Sequence, residues 1–141
     1  MTRLNRTERR GAATVEAAVI LPVLLIFTIG TVIGGLGVFR YQEVSLLARE
    51  GSRWASVHGA TYQSEAGLSS PVSSTDVYNN GIAPFVVALD TSRLTYSVTY
   101  SPDTKPPNST VTVTINYQWY PEGYLIGPIT LSCTSTRVIA Y

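Results

Sequence analysis

The chain begins polar, becomes uninterruptedly apolar, and then settles into alternation. From Ala17 to Phe39 there are 23 residues without a charge. At ~1.5 Å rise per residue, ~20 apolar residues cross the ~30 Å hydrocarbon core of a bilayer. The run therefore predicts a transmembrane helix over residues 12–39. In 40–58 there is no proline, and Tyr41, Val44, Ala48, Ala55 and His58 recur at helical spacing, with Leu47 and Trp54 nearby. This predicts that the helix continues as an amphipathic extension to about Val57, ending at His58-Gly59. The spacing of Arg40 with Glu43 and of Glu50 with Arg53 fits ion pairs on that extension, each contributing tenths of a kcal/mol. Gly51 is a point of close approach for whatever packs there.

Residues 59–81 lack periodicity and read as a linker, with Ser73 or Ser74 placed to cap a short helix near Thr75. Asn79-Asn80-Gly81 and Pro84 argue against one long helix, so a short one is expected over Ile82–Leu89 with Phe85, Val86 and Leu89 facing inward. Two segments then alternate: 94–100 (LTYSVTY) and 110–119 (TVTVTINYQW). Period two with β-branched and aromatic residues predicts half-buried strands with a threonine-rich face outward. A third strand is expected from Ile129 to about Ile139. The loop 101–108 makes the first pair a hairpin. The loop 120–128 carries a possible apolar tip at Tyr124-Leu125-Ile126. Tyr96, Tyr100 and Tyr117 fall on the apolar strand faces. The expected fold class is α+β: a long N-terminal helix whose outer half packs on a small antiparallel three-stranded sheet, with the ectodomain over 82–141.

Charge changes the picture only at the N-terminus. The net charge of +1 conceals +3 in residues 1–11, from Arg3, Arg6, Arg9, Arg10 and Glu8, against −2 in the remainder. By the positive-inside rule the N-terminus stays cytoplasmic and residues 40–141 are exported. No basic patch lies elsewhere, which argues against a nucleic-acid partner. A single cysteine, Cys133, excludes an intrachain disulfide and a multi-thiolate zinc site; it reads as a small buried strand residue. His58, the only histidine, reads as a helix-end residue. The ectodomain acids Glu65, Asp76, Asp90, Asp103 and Glu122 are scattered, and no nucleophile–base pair or phosphate-cradling glycine loop is present. The chain reads as a non-enzyme with no catalytic residue, metal or cofactor.

Three readings fit the apolar run. A cleaved secretory signal would be shorter and end at a small-x-small site, unlike Gly37-Val38-Phe39-Arg40. A plain anchor carrying a ligand-binding ectodomain explains the run but not Gly11 or Glu16. In the third reading cleavage precedes the apolar run, on the cytoplasmic side. A carboxylate such as Glu16 at the hydrocarbon edge is expensive unless paired. A cut after Gly11 would create an α-ammonium on Ala12, with which Glu16 of a neighbouring chain can pair. Within the run, Pro22 removes one helical hydrogen bond, and Gly30 and Gly34 form a small-xxx-small pair that permits close helix packing.

The run RRGAATVEAAVILPVLLIFTIG, followed by FRYQEVSLLAREGSRWA, resembles the TadE-like family, minor pseudopilins of the tight-adherence (Tad, or Flp-type) type IV pilus. The resemblance rests on residues 9–55: the basic leader ending in Gly11, Glu16 fifth after it, Pro22 six residues later, and the Ala-Arg-Glu-Gly-Ser-Arg run at 48–53. The departure is Ala17, where such signals carry an aromatic residue. The resemblance implies a basic prepilin-type leader over 1–11, a processing site at Gly11 and Ala12, and an assembly role for Glu16. It also implies a pilin-like fold in a bacterial inner membrane, C-terminus outside. The implied partners are a prepilin peptidase, other pilin or pseudopilin subunits, the inner-membrane assembly platform and membrane lipid.

Overall fold

The computed structural model describes residues 6–70, 72–121 and 127–140. It contains three helices, α1 (Arg6–Ser56), α2 (Ala60–Glu65) and α3 (Ser74–Val77), and three strands, β1 (Leu94–Ser101), β2 (Thr110–Trp119) and β3 (Ile129–Val138). The chain divides into two compact units, one ending at Leu36 and the other beginning at Gly37. α1 starts at Arg6 rather than near Ala12: nothing between them breaks a helix, and one glycine costs only about 1 kcal/mol.

The second unit is α+β, with the outer half of α1 packed on a three-stranded antiparallel sheet in the order β1-β2-β3. Leu94 pairs with Tyr117 and Ser101 with Thr110; Thr110 also pairs with Val138, and Trp119 with Ile129. The alternation of β2 is realised residue by residue. Val111, Val113, Ile115, Tyr117 and Trp119 are buried on one face. On the other, Thr112 and Thr114 meet Thr136 and Thr134 across the strands, each with hydroxyls 3.0 Å apart. Tyr117 is core, whereas Tyr96 and Tyr100 are half-buried, and Tyr96 stacks on Tyr78 with ring centroids 4.7 Å apart. Cys133 is half-buried on β3 opposite Ile115, less enclosed than the sequence suggests because β3 is an edge strand.

The buried stripe of α1 consists of two rows of residues four apart: Glu43, Leu47, Gly51, Ala55 and Val44, Ala48, Ser52, Ser56. Such rows wind about 40° round the helix per step. Tyr41, expected to face inward, therefore falls off the stripe and is exposed. A Cβ built on Gly51 would stand 2.9 Å from Ile82 Cγ1 and 3.3 Å from Val113 Cγ1, so the expected close approach is present. Gly37 is tighter still: a Cβ there would reach the Trp119 ring at 2.8 Å. Ser52 and Ser135 hydroxyls lie 2.8 Å apart, and Ala140 N–H donates to the Ser56 carbonyl at 2.9 Å, tying the helix end to the strand after β3.

The linker contains more order than its composition suggests. α2 lies within it, and Ser73 caps α3 in a full capping box with Asp76. Ile82–Leu89 is not a helix. A wide π turn, Tyr78–Ile82, passes into a 3-10 turn, Ala83–Phe85, after which Val86 is extended. Pro84 has no N–H to give, the Val86 N–H closes the turn on the Ala83 carbonyl, and the amides of Val87 and Ala88 are captured by Glu43 of α1. Ile82 and Leu89 are buried, but Phe85 is exposed. The apolar tip at Tyr124-Leu125-Ile126 lies outside the described residues.

Candidate assembly surface

In the first unit every described side chain from Ala13 to Val32 is exposed. It holds the start of the one helix, among the described residues, that is long and apolar enough to cross a membrane. Polar groups along it are satisfied locally. Thr28 and Thr31 hydroxyls donate to the Leu24 and Phe27 carbonyls at 2.8 Å each, the back-bond open to a threonine within a helix. The helix runs through Pro22, which leaves the Ala18 carbonyl without its usual amide. A Cβ on Gly30 or Gly34 would meet nothing within 4 Å, so this small-residue face is open. Gly11 is exposed and Ala12 follows it inside α1; Glu16, one turn further, is also exposed. The sequence-derived residues are thus strung along one helix and form no pocket. Glu16 and Gly30 stand about 20 Å apart along the axis.

The second unit places its charges differently from the sequence expectation. Glu50 and Arg53 pair as expected, at 3.6 Å. Arg40 and Glu43 do not pair with each other. The Glu43 carboxylate is buried, and its Oε1 accepts the backbone N–H of Val87 at 3.1 Å and of Ala88 at 2.8 Å. Arg40 donates from the other side to the Ala88 carbonyl. A loop with unspent backbone amides offers a charged group better hydrogen bonds than a solvated i,i+3 partner does. No local signal in the sequence marks this partnership, because the amides concerned follow the Ala83–Phe85 turn and find their acceptor 44 residues away. Beside this clamp lies an open, largely apolar groove of about 660 Å³, lined by Phe39, Tyr41, Leu46, Arg49, Phe85 and Val87.

At the opposite end of the extension Trp54 and His58 stack with centroids 3.8 Å apart, and Tyr62 meets His58 edge-on at 4.3 Å. His58 Nδ1 lies 2.7 Å from the Trp54 carbonyl, so this nitrogen carries the proton. The ring is a helix-end residue, as expected. Two pKa directions mark the loops nearby. Hydrogen bonds from the Ser73 hydroxyl and N–H hold the Asp76 carboxyl below its ordinary value, and burial lowers Lys105, whose ammonium lies 4.2 Å from the Tyr100 ring centroid. Among the described residues no three of His, Cys, Asp and Glu cluster as metal ligands would.

With one exposed apolar helix long enough to cross a membrane among the described residues and a helix-packed antiparallel sheet in place, the class is that of an α+β protein with a candidate membrane helix. Residues 11–53 match a family model described as TadE-like protein, so this segment is TadE-like, in agreement with the resemblance read from the sequence. The match implies a protein associated with the Tad pilus system. It takes in Gly11, Ala12, Glu16, Pro22, Gly30, Gly34 and the Arg40–Glu43 clamp, and ends before the sheet begins. Comparisons with curated proteins and with solved structures gave no match.

Proposed function

We propose that the chain is a minor pseudopilin of a Tad-type pilus, inserted with its N-terminus in the cytoplasm. A prepilin peptidase removes residues 1–11 by cutting between Gly11 and Ala12. The cut discards the arginine leader, whose four cations oppose withdrawal of the helix from the bilayer. It also creates the α-ammonium of Ala12. Glu16 of one chain pairs with that ammonium on a neighbouring pilin or pseudopilin, while Pro22, Gly30 and Gly34 shape the helix contact. The inner-membrane assembly platform receives the subunit, and the sheet unit stays outside. The chain works as a structural part and catalyses no reaction.

The observation that carries this reading is the TadE-like match, because it covers the leader end, Glu16 and the uncovered apolar helix together. The test is Glu16→Ala in cells with an intact pilus system. The variant is expected to stay in the membrane fraction and to lose co-isolation with pilus components. Co-isolation at the wild-type level contradicts the pairing role.

A further inference from the structure

Four apolar side chains of the second unit are held in the open around one short stretch of α1. Val87 is 88% exposed, Phe39 55%, Tyr41 49% and Phe85 41%. The loop that carries Phe85 and Val87 is fixed there: Glu43 takes its amides at 87 and 88, and Arg40 binds its carbonyl at 88. Two charged groups that would normally face water are spent on presenting a valine to the outside. Nearby, Trp119 lies against Gly37, and Tyr120 is exposed at the same end of β2. An apolar and aromatic patch in which Arg40 and Glu43 are bound to the loop, and Arg49 and Arg93 stand exposed at its margins, has the composition of a bilayer-interface belt, where aromatic rings and arginines share the headgroup layer.

Its position along the helix fits the same partner. The uncharged run ends at Phe39, and Glu43 is four residues on, about 6 Å further along the axis. The polar layer of a bilayer adds roughly 5–7 Å beyond each side of the hydrocarbon. The clamp therefore holds Val87 at headgroup depth once Phe39 stands at the hydrocarbon edge. The other end of the sheet unit is tied to the end of α1 by the Ala140 N–H on the Ser56 carbonyl, and to the start of α2 by the Ala60 N–H on the Lys105 carbonyl, at 2.9 and 3.0 Å. The end of α1 at Ser56 is about 20 Å beyond Glu43 along the axis, well clear of the membrane.

We propose that this patch, built from Phe39, Tyr41, Phe85 and Val87, is a lipid-docking surface by which the sheet unit rests on the outer face of the bilayer. The inference relies on the spanning helix of the proposed function, and adds that the exported unit is oriented on the membrane rather than free above it. The contact holds the unit while the subunit waits in the membrane, and assembly must peel it off.

The experiment places single nitroxide labels on the full chain in lipid nanodiscs, in a Cys133→Ser background, at Ile26→Cys, Val87→Cys and Thr104→Cys. Collision with oxygen, which concentrates in lipid, is compared with collision with a water-soluble nickel chelate. A Tyr41→Cys label repeats the reading on α1 itself. The expected order is Ile26 deepest, Val87 and Tyr41 oxygen-favoured at headgroup depth, and Thr104 nickel-favoured. A Val87 label as nickel-accessible as Thr104, with Ile26 deep, overturns the docking while leaving the span intact. Protection of Val87 from both probes marks coverage by another protein chain and also overturns it. A shallow Ile26 label removes the spanning helix and the inference with it.

Discussion

Glu43 holds Val87 by its backbone: one carboxylate oxygen accepts the amides of Val87 and Ala88 at 3.1 and 2.8 Å, although the two residues are 44 positions from it or more. This bond links the outer half of α1 to the segment that leads into β1. It replaces the internal hydrogen bonds that a helix over Ile82–Leu89 would have made.

Removing the carboxylate therefore has a local and a global effect. Hydrogen bonds to a charged acceptor contribute about 1.5–3 kcal/mol each, and Glu43→Ala leaves two amides without their acceptor. We expect Glu43→Ala to destabilise the sheet unit by roughly 2–4 kcal/mol, with Glu43→Gln, which keeps an acceptor oxygen, losing about 1. Amide hydrogen exchange at Val87 and Ala88 measures this directly. Glu43→Ala should raise both rates by roughly ten-fold or more. Unchanged protection in Glu43→Ala would show that the clamp contributes nothing.

Acid removes the α3 cap. Asp76 accepts from the Ser73 N–H at 2.8 Å and from its hydroxyl at 2.7 Å, and these bonds hold its carboxyl below its ordinary value of 3.8. The folded value is the lower one, so the stabilisation is fully present above the unfolded value and is lost as pH falls through the folded value. Protection of the α3 amides should fall as pH drops below about 4, and Asp76→Asn should remove that dependence. A pH profile equally steep in Asp76→Asn would place the acid sensitivity elsewhere.

Much of this architecture is legible because its causes are local. The ten residues of β2 alternate β-branched or aromatic with polar, and each falls on the expected face. The sequence offers Ser73 or Ser74 as the cap of a short helix near Thr75; the structure uses Ser73, and Asp76 completes the box although α3 is only four residues long. Gly51 could be read as a contact point because a glycine inside a helix needs a reason. Sequence spacing misleads where a long-range partner outcompetes a short-range one. Arg40 and Glu43 are correctly spaced for each other, yet both bind a loop more than 40 residues away. Tyr41 matches a helical period but not the winding stripe that the sheet covers. The groove beside Val87 was illegible because it exists only once that loop folds back on α1. The proposed assembly residues are a different case: Gly11, Glu16, Pro22, Gly30 and Gly34 lie on one exposed helix and touch no other element among the described residues. Their significance rests on motif and spacing.

The proposed function stands on residues 1–11 being a removable leader. Intact-mass measurement of the protein extracted from membranes of cells carrying its prepilin peptidase tests it most directly. The expected mass is that of a chain beginning at Ala12, and of the full-length chain when the peptidase is deleted. A chain beginning at Met1 in peptidase-bearing cells, or one cut beyond Phe39, would contradict it.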